Sequence, residues 1–302
     1  MSKRQIFFSR LLSTIVLWTL VLGALLTGSE IGCLLVLCGL GFIGLWEYFA
    51  GLRGKQIAAF TGVGLSGGLL LLVGTFLSFS GLLGHGKGFA LGVVAPEAEI
   101  GLLVLCVLAV LTSQLFLKNR EPIPLSAAAF TLLGIVYVAW LFGFATKLIY
   151  FTPRDGAGHL TGQWYLLYLL VVAKFSDMGA YLTGSLIGKH PMVPHISPKK
   201  TWEGFAGALL FSTAGSFALL WLLGPKLHLL RPLDALVLGL GLGLAAVVGD
   251  LVESIVKRSL DLKDSGSLLP GIGGALDLID SVLFTAPLLY YYLRLSELLI
   301  ER

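Results

Sequence analysis

Nine apolar stretches, each near the roughly 20 residues that cross a bilayer as a helix, alternate along the chain with short runs of Gly, Pro and charge. They lie near 11–27, 31–50, 58–84, 98–117, 126–146, 163–187, 204–224, 233–256 and 282–298. Within each run the apolar residues are continuous and rich in Leu, whereas barrel strands would alternate over about ten residues. The pattern therefore predicts helices. The expected fold class is all-α, a polytopic integral membrane protein of about nine transmembrane helices. Met1, Ser2, Lys3 and Arg4 ahead of the first run have the outline of a signal peptide, but no small-x-small cleavage site precedes Gly28, Ser29 and Glu30. The first run is expected to be retained as a span.

Composition supports the same class. Of 302 residues, 56% are hydrophobic and 13% charged, with a mean hydropathy of +0.91, more apolar side chain than one soluble core can hide. Lys and Arg exceed Asp and Glu by only 21 to 17, too little to suggest a nucleic-acid partner. Cys33, Cys38 and Cys106 lie inside apolar runs without metal-ligand spacing and are expected to be packing residues.

Placement of the charges says more than their sum. With the amino terminus inside, the inner connections collect Lys3, Arg4, Arg53, Lys55, Lys118, Arg120, Lys189, Lys199, Lys200, Lys257, Arg258 and Lys263. The outer ones hold Lys87, Lys147, Arg154, Lys226, Arg231 and Arg302. This bias predicts a cytoplasmic amino terminus in a cytoplasmic (inner) membrane, with polar loops near 188–203 and 257–281 both facing the cytoplasm. The chain is expected to divide into N-terminal transmembrane helices, 1–125, and a C-terminal transmembrane region, 126–302, which the charged residues considered next mark as the catalytic one. In the first part Glu47, near the end of the second run, is expected to snorkel to the interface. Gly239, Gly243 and the ladder Gly241, Ala245, Gly249 are read as close helix packing.

In the second part Lys174, Asp177, Asp250 and Glu253 fall within or at the ends of apolar runs, where an unpaired charge costs several kcal/mol. Lys174 and Asp177 could form an i, i+3 ion pair. Asp250, Ser254, Lys257 and Asp261 would share one helix face, ending on the basic pair Lys257 and Arg258. Lys263, Asp264, Ser265 and Gly266 follow, then Pro270, Gly271, Gly273 and Gly274, then Asp277 and Asp280 at i, i+3. Three carboxylates, from Asp250, Asp277 and Asp280, offer hard oxygen ligands suited to Mg²⁺, for one or two cations. Cations beside a basic, glycine-containing loop suit phosphoryl or nucleotidyl transfer, with glycine backbone free to approach phosphate oxygens. The other loop offers Ser197, Lys199, Lys200 and Thr201 as phosphate-binding types, Trp202 as an interface anchor, and His190 and His195 as loop residues. A polytopic transporter would also carry intramembrane acids, but no matched pair of broken spans marks the two halves.

These residues resemble the phosphatidate cytidylyltransferases. The family signature stands here as Ser254-x-x-Lys257-Arg258, Lys263-Asp264-Ser265-Gly266, Pro270-Gly271-x-Gly273-Gly274 and Asp277-x-x-Asp280-Ser281. A second block reads Asp177-x-Gly179-Ala180-Tyr181, Gly188-Lys189-His190 and Ser197-Pro198-x-Lys200-Thr201-x-Glu203-Gly204. The resemblance covers roughly 165–290. It implies a membrane nucleotidyltransferase of phospholipid biosynthesis that joins CTP to phosphatidic acid. It further implies that Asp250, Asp277 and Asp280 hold Mg²⁺, with potassium as a second ion. Lys257, Arg258, Lys263 and Lys200 would meet phosphates, Asp264 would belong to the catalytic loop, and Asp177, Ser197, Thr201, Ser254, Gly273 and Gly274 would shape the substrate pocket. A homodimer is implied on the same ground. Ile272 stands where the family has histidine and Leu278 where it has arginine. Another lipid phosphate as substrate, and a catalytically impaired relative, are the alternatives these departures leave.

Overall fold

In hydrocarbon every backbone N–H and C=O must pair within its own segment, so a continuous apolar run has little choice but to coil. A computed structural model describes residues 3–80, 91–116, 125–151, 161–262, 265–266 and 273–300. Among them are nine long helices: α1 (Lys3–Thr27), α2 (Glu30–Gly54), α3 (Thr61–Ser80), α4 (Leu91–Ser113), α5 (Leu125–Ile149), α6 (Gln163–Ile187), α7 (Trp202–Leu223), α8 (Pro232–Ser259) and α9 (Ala275–Ile300). Seven, α2, α3 and α5 to α9, are long and apolar enough to cross a membrane. The protein is an all-α, multi-pass membrane protein. Strand structure among the described residues is one antiparallel hairpin, β1 (Pro191–Val193) and β2 (Ser197–Thr201), pairing Pro191 with Thr201 and Val193 with Ser197.

The surface is apolar where a soluble protein's would be polar. Trp221 is 85% exposed and Leu186 80%, while Ser212, Ser216, Thr285 and Glu253 are fully buried. That inversion suits a lipid solvent.

The chain forms two compact units, Met1–Lys147 with Leu260–Ile279, and Leu148–Ser259 with Asp280–Arg302. This division follows packing, whereas the 1–125 and 126–302 division follows where charge enters the sequence. In the first unit α5 carries a π turn over Ile135–Trp140, and the Tyr48 hydroxyl donates to the Phe130 carbonyl just ahead of it at 3.0 Å. Lys147, expected in an outer connection, is instead buried in α5 and paired with Glu99 of α4 at 2.6 Å. Burying two charges is tolerable only because each neutralises the other.

In the second unit small residues set the helix spacing. Gly179 of α6 faces the Gly207 carbonyl of α7, and a Cβ at Gly239 of α8 would come within 2.6 Å of the Thr213 Cα of α7. Buried hydroxyls join the same helices: Ser212 donates to Gly239 O at 2.8 Å, Ser216 to Ala235 O at 2.7 Å, and Ser176 to Gly243 O at 3.3 Å. The packing expectation for the glycine ladder is met most sharply at Gly249, whose Cβ would lie 2.7 Å from the Asp280 carbonyl oxygen of α9. Gly249→Val is expected to force α8 from α9. Overpacking of this kind costs about 1–3 kcal/mol or more, so the yield of monodisperse protein on size exclusion in detergent should fall sharply, while Gly224→Ala, with open space around it, should leave it unchanged.

Candidate active site

In the second unit carboxylates of two helices converge. Ligand oxygens of Asp250 and Glu253 on α8 and of Asp280 on α9 all lie within 4.8 Å of one another. Asp250 and Glu253 come together because three residues are nearly one helical turn, and Gly249 lets Asp280 approach. From α6, Lys174 pairs with Asp177 at 2.9 Å, as the i, i+3 spacing predicts.

Cations close around this group. Lys200 of β2 meets Asp250 at 2.9 Å and Lys257 meets Glu253 at 2.5 Å. Glu253 is fully buried, and a buried carboxylate costs several kcal/mol unless paired; Lys257, one turn further along α8, is that pair. Asp280 is also buried, and its Oδ1 accepts from the Ser281 N–H at 2.5 Å. Among the described residues it has no Lys or Arg within ion-pair distance. Three hard oxygen donors so close together fit a magnesium ion.

The loop near 188–203 is more ordered than a loop. Glu203 ties its base: Oε2 accepts from the Lys189 N–H at 3.1 Å and the His190 N–H at 3.3 Å, and Oε1 meets His190 Nδ1 at 2.5 Å. Thr201 caps α7 by accepting from the Gly204 N–H at 3.1 Å. The hairpin thus delivers Lys200 to Asp250, and Arg258 Nε donates to the Ile196 carbonyl at 3.5 Å on its other side. Ser197 lies on β2, Ser254 lies on α8 one turn past Asp250, and Trp202 is exposed, as an interface anchor would be.

Several expectations change. α8 ends at Ser259, and Asp261 adopts a left-handed φ of 55°, so it leaves the face shared by Asp250, Ser254 and Lys257. Asp261 pairs with Lys55 in the first unit. Glu47 does not snorkel. α2 runs on for two turns to Gly54, leaving Glu47 buried, where Oε2 accepts from the Leu276 N–H at 2.9 Å and the Ser265 hydroxyl at 3.4 Å. A carboxylate at the first turn of α9 also complements the helix dipole.

Asp277 belongs to this first-unit arrangement. Its Oδ2 accepts from the Ser265 N–H at 3.1 Å, the Ser265 hydroxyl at 2.7 Å and the Gly274 N–H at 2.7 Å. Here Gly273, at φ 126°, and Gly274 are glycines for a nearer reason than phosphate approach. A Cβ at Gly273 would lie 2.7 Å from Asp277 Oδ2, and one at Gly274 2.5 Å from Ser265 Oγ, with Glu47 beside it. Lys263, Asp264, Pro270, Gly271 and Ile272 lie outside the described residues. Leu278 is half-buried on α9.

Sequence reasoning noticed Glu253 but left it out of the ligand set. Its signal was the same i, i+3 spacing that selected Asp277 and Asp280.

A model of the cytidylyltransferase family matches residues 8–296. The chain is 44% identical over 159 residues to a phosphatidate cytidylyltransferase of Mycobacterium leprae, covering 53% of this chain and 47% of the relative. Against an uncharacterized protein of Escherichia coli it is 38% identical over 164 residues, 54% of this chain and 50% of the relative. A phosphatidate cytidylyltransferase of Mycobacterium bovis is 42% identical over 163 residues, 54% and 49% of the two chains. The chain spans about half the length of these curated relatives.

Proposed function

The chain belongs to the cytidylyltransferase family, and from that membership we propose that it joins CTP to phosphatidic acid, giving CDP-diacylglycerol and pyrophosphate. One observation carries the reading: Asp250, Glu253 and Asp280 converge within 4.8 Å beside Lys200 and Lys257. An oxygen of the phosphatidate phosphate attacks the α-phosphorus of CTP, and the bond from that phosphorus to the oxygen bridging to the β-phosphorus breaks. Pyrophosphate leaves with that oxygen. The nucleophile is already an anion at neutral pH, so the chain's task is placement and charge neutralisation rather than proton abstraction.

Lys200 and Lys257 are held by carboxylates and can turn to phosphate oxygens without new backbone order. Arg258, and Lys263 by resemblance, add further cations for the triphosphate. Ser197, Ser254 and Asp177 would line the pocket, while Thr201 sets the hairpin's exit into α7. Asp250 and Asp280, with Glu253 beside them, would hold magnesium, and Asp277 and Asp264 stay in the proposed set by resemblance. Bound magnesium would supply Lewis-acid neutralisation of the phosphates. The positive-inside bias supports a site facing the cytoplasm in an inner membrane, and the resemblance supports a homodimer.

The test is product formation by purified protein in detergent with Mg²⁺, labelled CTP and phosphatidic acid. CDP-diacylglycerol is the expected product. No product alongside an active relative would end the reading. Product only with another lipid phosphate would move the acceptor, the difference that an uncharged Leu278 makes worth measuring.

A further inference from the structure

The hairpin that carries Lys200 is poorly equipped to hold itself in place. Its strands are three and five residues long, and Pro191, Pro194 and Pro198 fall within or between them. Proline donates no hydrogen bond to a ladder. The register also shifts between the pairs Pro191–Thr201 and Val193–Ser197, and a two-stranded hairpin is marginal in water by itself. Something outside the strands has to fix it.

Glu203, in the first turn of α7, supplies what the ladder lacks. Its Oε2 takes the Lys189 and His190 N–H groups where the chain leaves α6, and its Oε1 meets His190 Nδ1. The Trp202 N–H adds a 3.0 Å bond to the His190 carbonyl. These contacts tie the start of β1 to the end of β2, three residues beyond Lys200. The helices do not need this carboxylate. α6 and α7 meet through glycines: a Cβ at Gly204 would lie 3.0 Å from the Ala180 carbonyl oxygen, and one at Gly188 2.8 Å from Thr201 Oγ1. Glu203 therefore orders the hairpin rather than the bundle. Lys200 is the residue that gains. Its Nζ is buried, and its 2.9 Å contact with Asp250 is an ion pair without hydrogen-bond alignment, with no other acceptor among the described residues. The ammonium thus keeps N–H donors for an incoming anion.

We propose that Glu203 is a positioning residue of the transfer reaction: by closing the base of the hairpin it presents the Lys200 ammonium to the triphosphate of incoming CTP. This rests on the transferase reading above and deepens it. The hairpin lies between the spans α6 and α7 rather than within either, and a nucleotide arrives from water, so the CTP phosphates rather than the lipid phosphate are its partner.

The experiment compares wild type, Glu203→Ala, Glu203→Gln, Lys200→Ala and the double variant Lys200→Ala/Glu203→Ala in detergent. Brief trypsin digestion reads the clamp without catalysis. Cleavage after the exposed Lys199 should be about five- to thirtyfold faster in Glu203→Ala. Glu203→Gln should stay close to wild type, because its amide oxygen still accepts from the two N–H groups. In the CTP assay Glu203→Ala should raise KM for CTP about tenfold and leave KM for phosphatidic acid within about twofold. A residue that matters only for folding would lower kcat and leave both KM values alone. Lys200→Ala should lower kcat/KM for CTP about 10- to 100-fold. Adding Glu203→Ala should change that by less than about twofold, since the two act through one ammonium.

An additive double variant overturns the proposal, and so does a Glu203→Ala hairpin cleaved at the wild-type rate. A Glu203→Ala protein that cannot be recovered monodisperse also counts against it, because the glycine contacts should hold α6 on α7. If wild type makes no CDP-diacylglycerol beside an active relative, the transferase reading fails, while faster cleavage of Glu203→Ala keeps the hairpin clamp. An active wild type whose Glu203→Ala variant has unaltered cleavage and KM gives the reverse.

Discussion

Asp280→Ala is expected to reduce CDP-diacylglycerol formation to background while the protein remains folded. Asp280 is the carboxylate of the cluster with no Lys or Arg within ion-pair distance among the described residues, so its removal leaves the Lys200–Asp250 and Lys257–Glu253 pairs in place. Loss of a preorganised charge at a reacting phosphate lowers turnover by about 100- to 1000-fold, and loss of a metal ligand adds to that. Glu253→Gln is expected to fall in the same range for a different reason. The amide keeps the shape of the side chain but not the charge that holds Lys257 at 2.5 Å. Initial rates at matched amounts of monodisperse protein decide both. Wild-type turnover in Asp280→Ala would remove the cluster from the mechanism.

Glu47→Leu is expected to cost both stability and activity, although Glu47 lies outside the roughly 165–290 that carries the signature motifs. Its carboxylate accepts from the Leu276 N–H and the Ser265 hydroxyl. A buried donor left without an acceptor costs about 1–3 kcal/mol. The loss falls on Leu276 in the first turn of α9, four residues before Asp280. Thermal unfolding in detergent should show a clear drop in midpoint, and the transfer rate should fall at least about tenfold. Glu47→Gln keeps an accepting oxygen and should recover most of both. Equal loss in Gln and Leu would mean that the charge, not the hydrogen bonds, is what α9 needs.

The two cases differ in how far the sequence reached. Asp250, Asp280, Lys257 and the Lys174–Asp177 pair were legible because charges inside apolar runs stand out against a lipid background, and helical spacing says which share a face. Glu253 obeyed the same rule and was passed over. Glu47 gave no such sign: its partner at Leu276 is 229 residues away, and an acid near the end of a span looks like one reaching for water. Lys147 with Glu99, and Lys55 with Asp261, were hidden by distance along the chain in the same way. The hairpin around Lys200 was read as loop because its strands are three and five residues long, too short for a period of two to register.

Sequence alone determined the solvent, the helices and most of the charged residues a phosphate chemistry would use, since each is a local matter of apolar length, spacing and charge. Which helices touch was decided only in three dimensions. A soluble helix reveals its inner face by being apolar there and polar elsewhere, but in lipid every face is apolar and that contrast disappears. Contact is then chosen by glycines such as Gly249 and by buried hydroxyls such as Ser212, which act only once another helix lies against them.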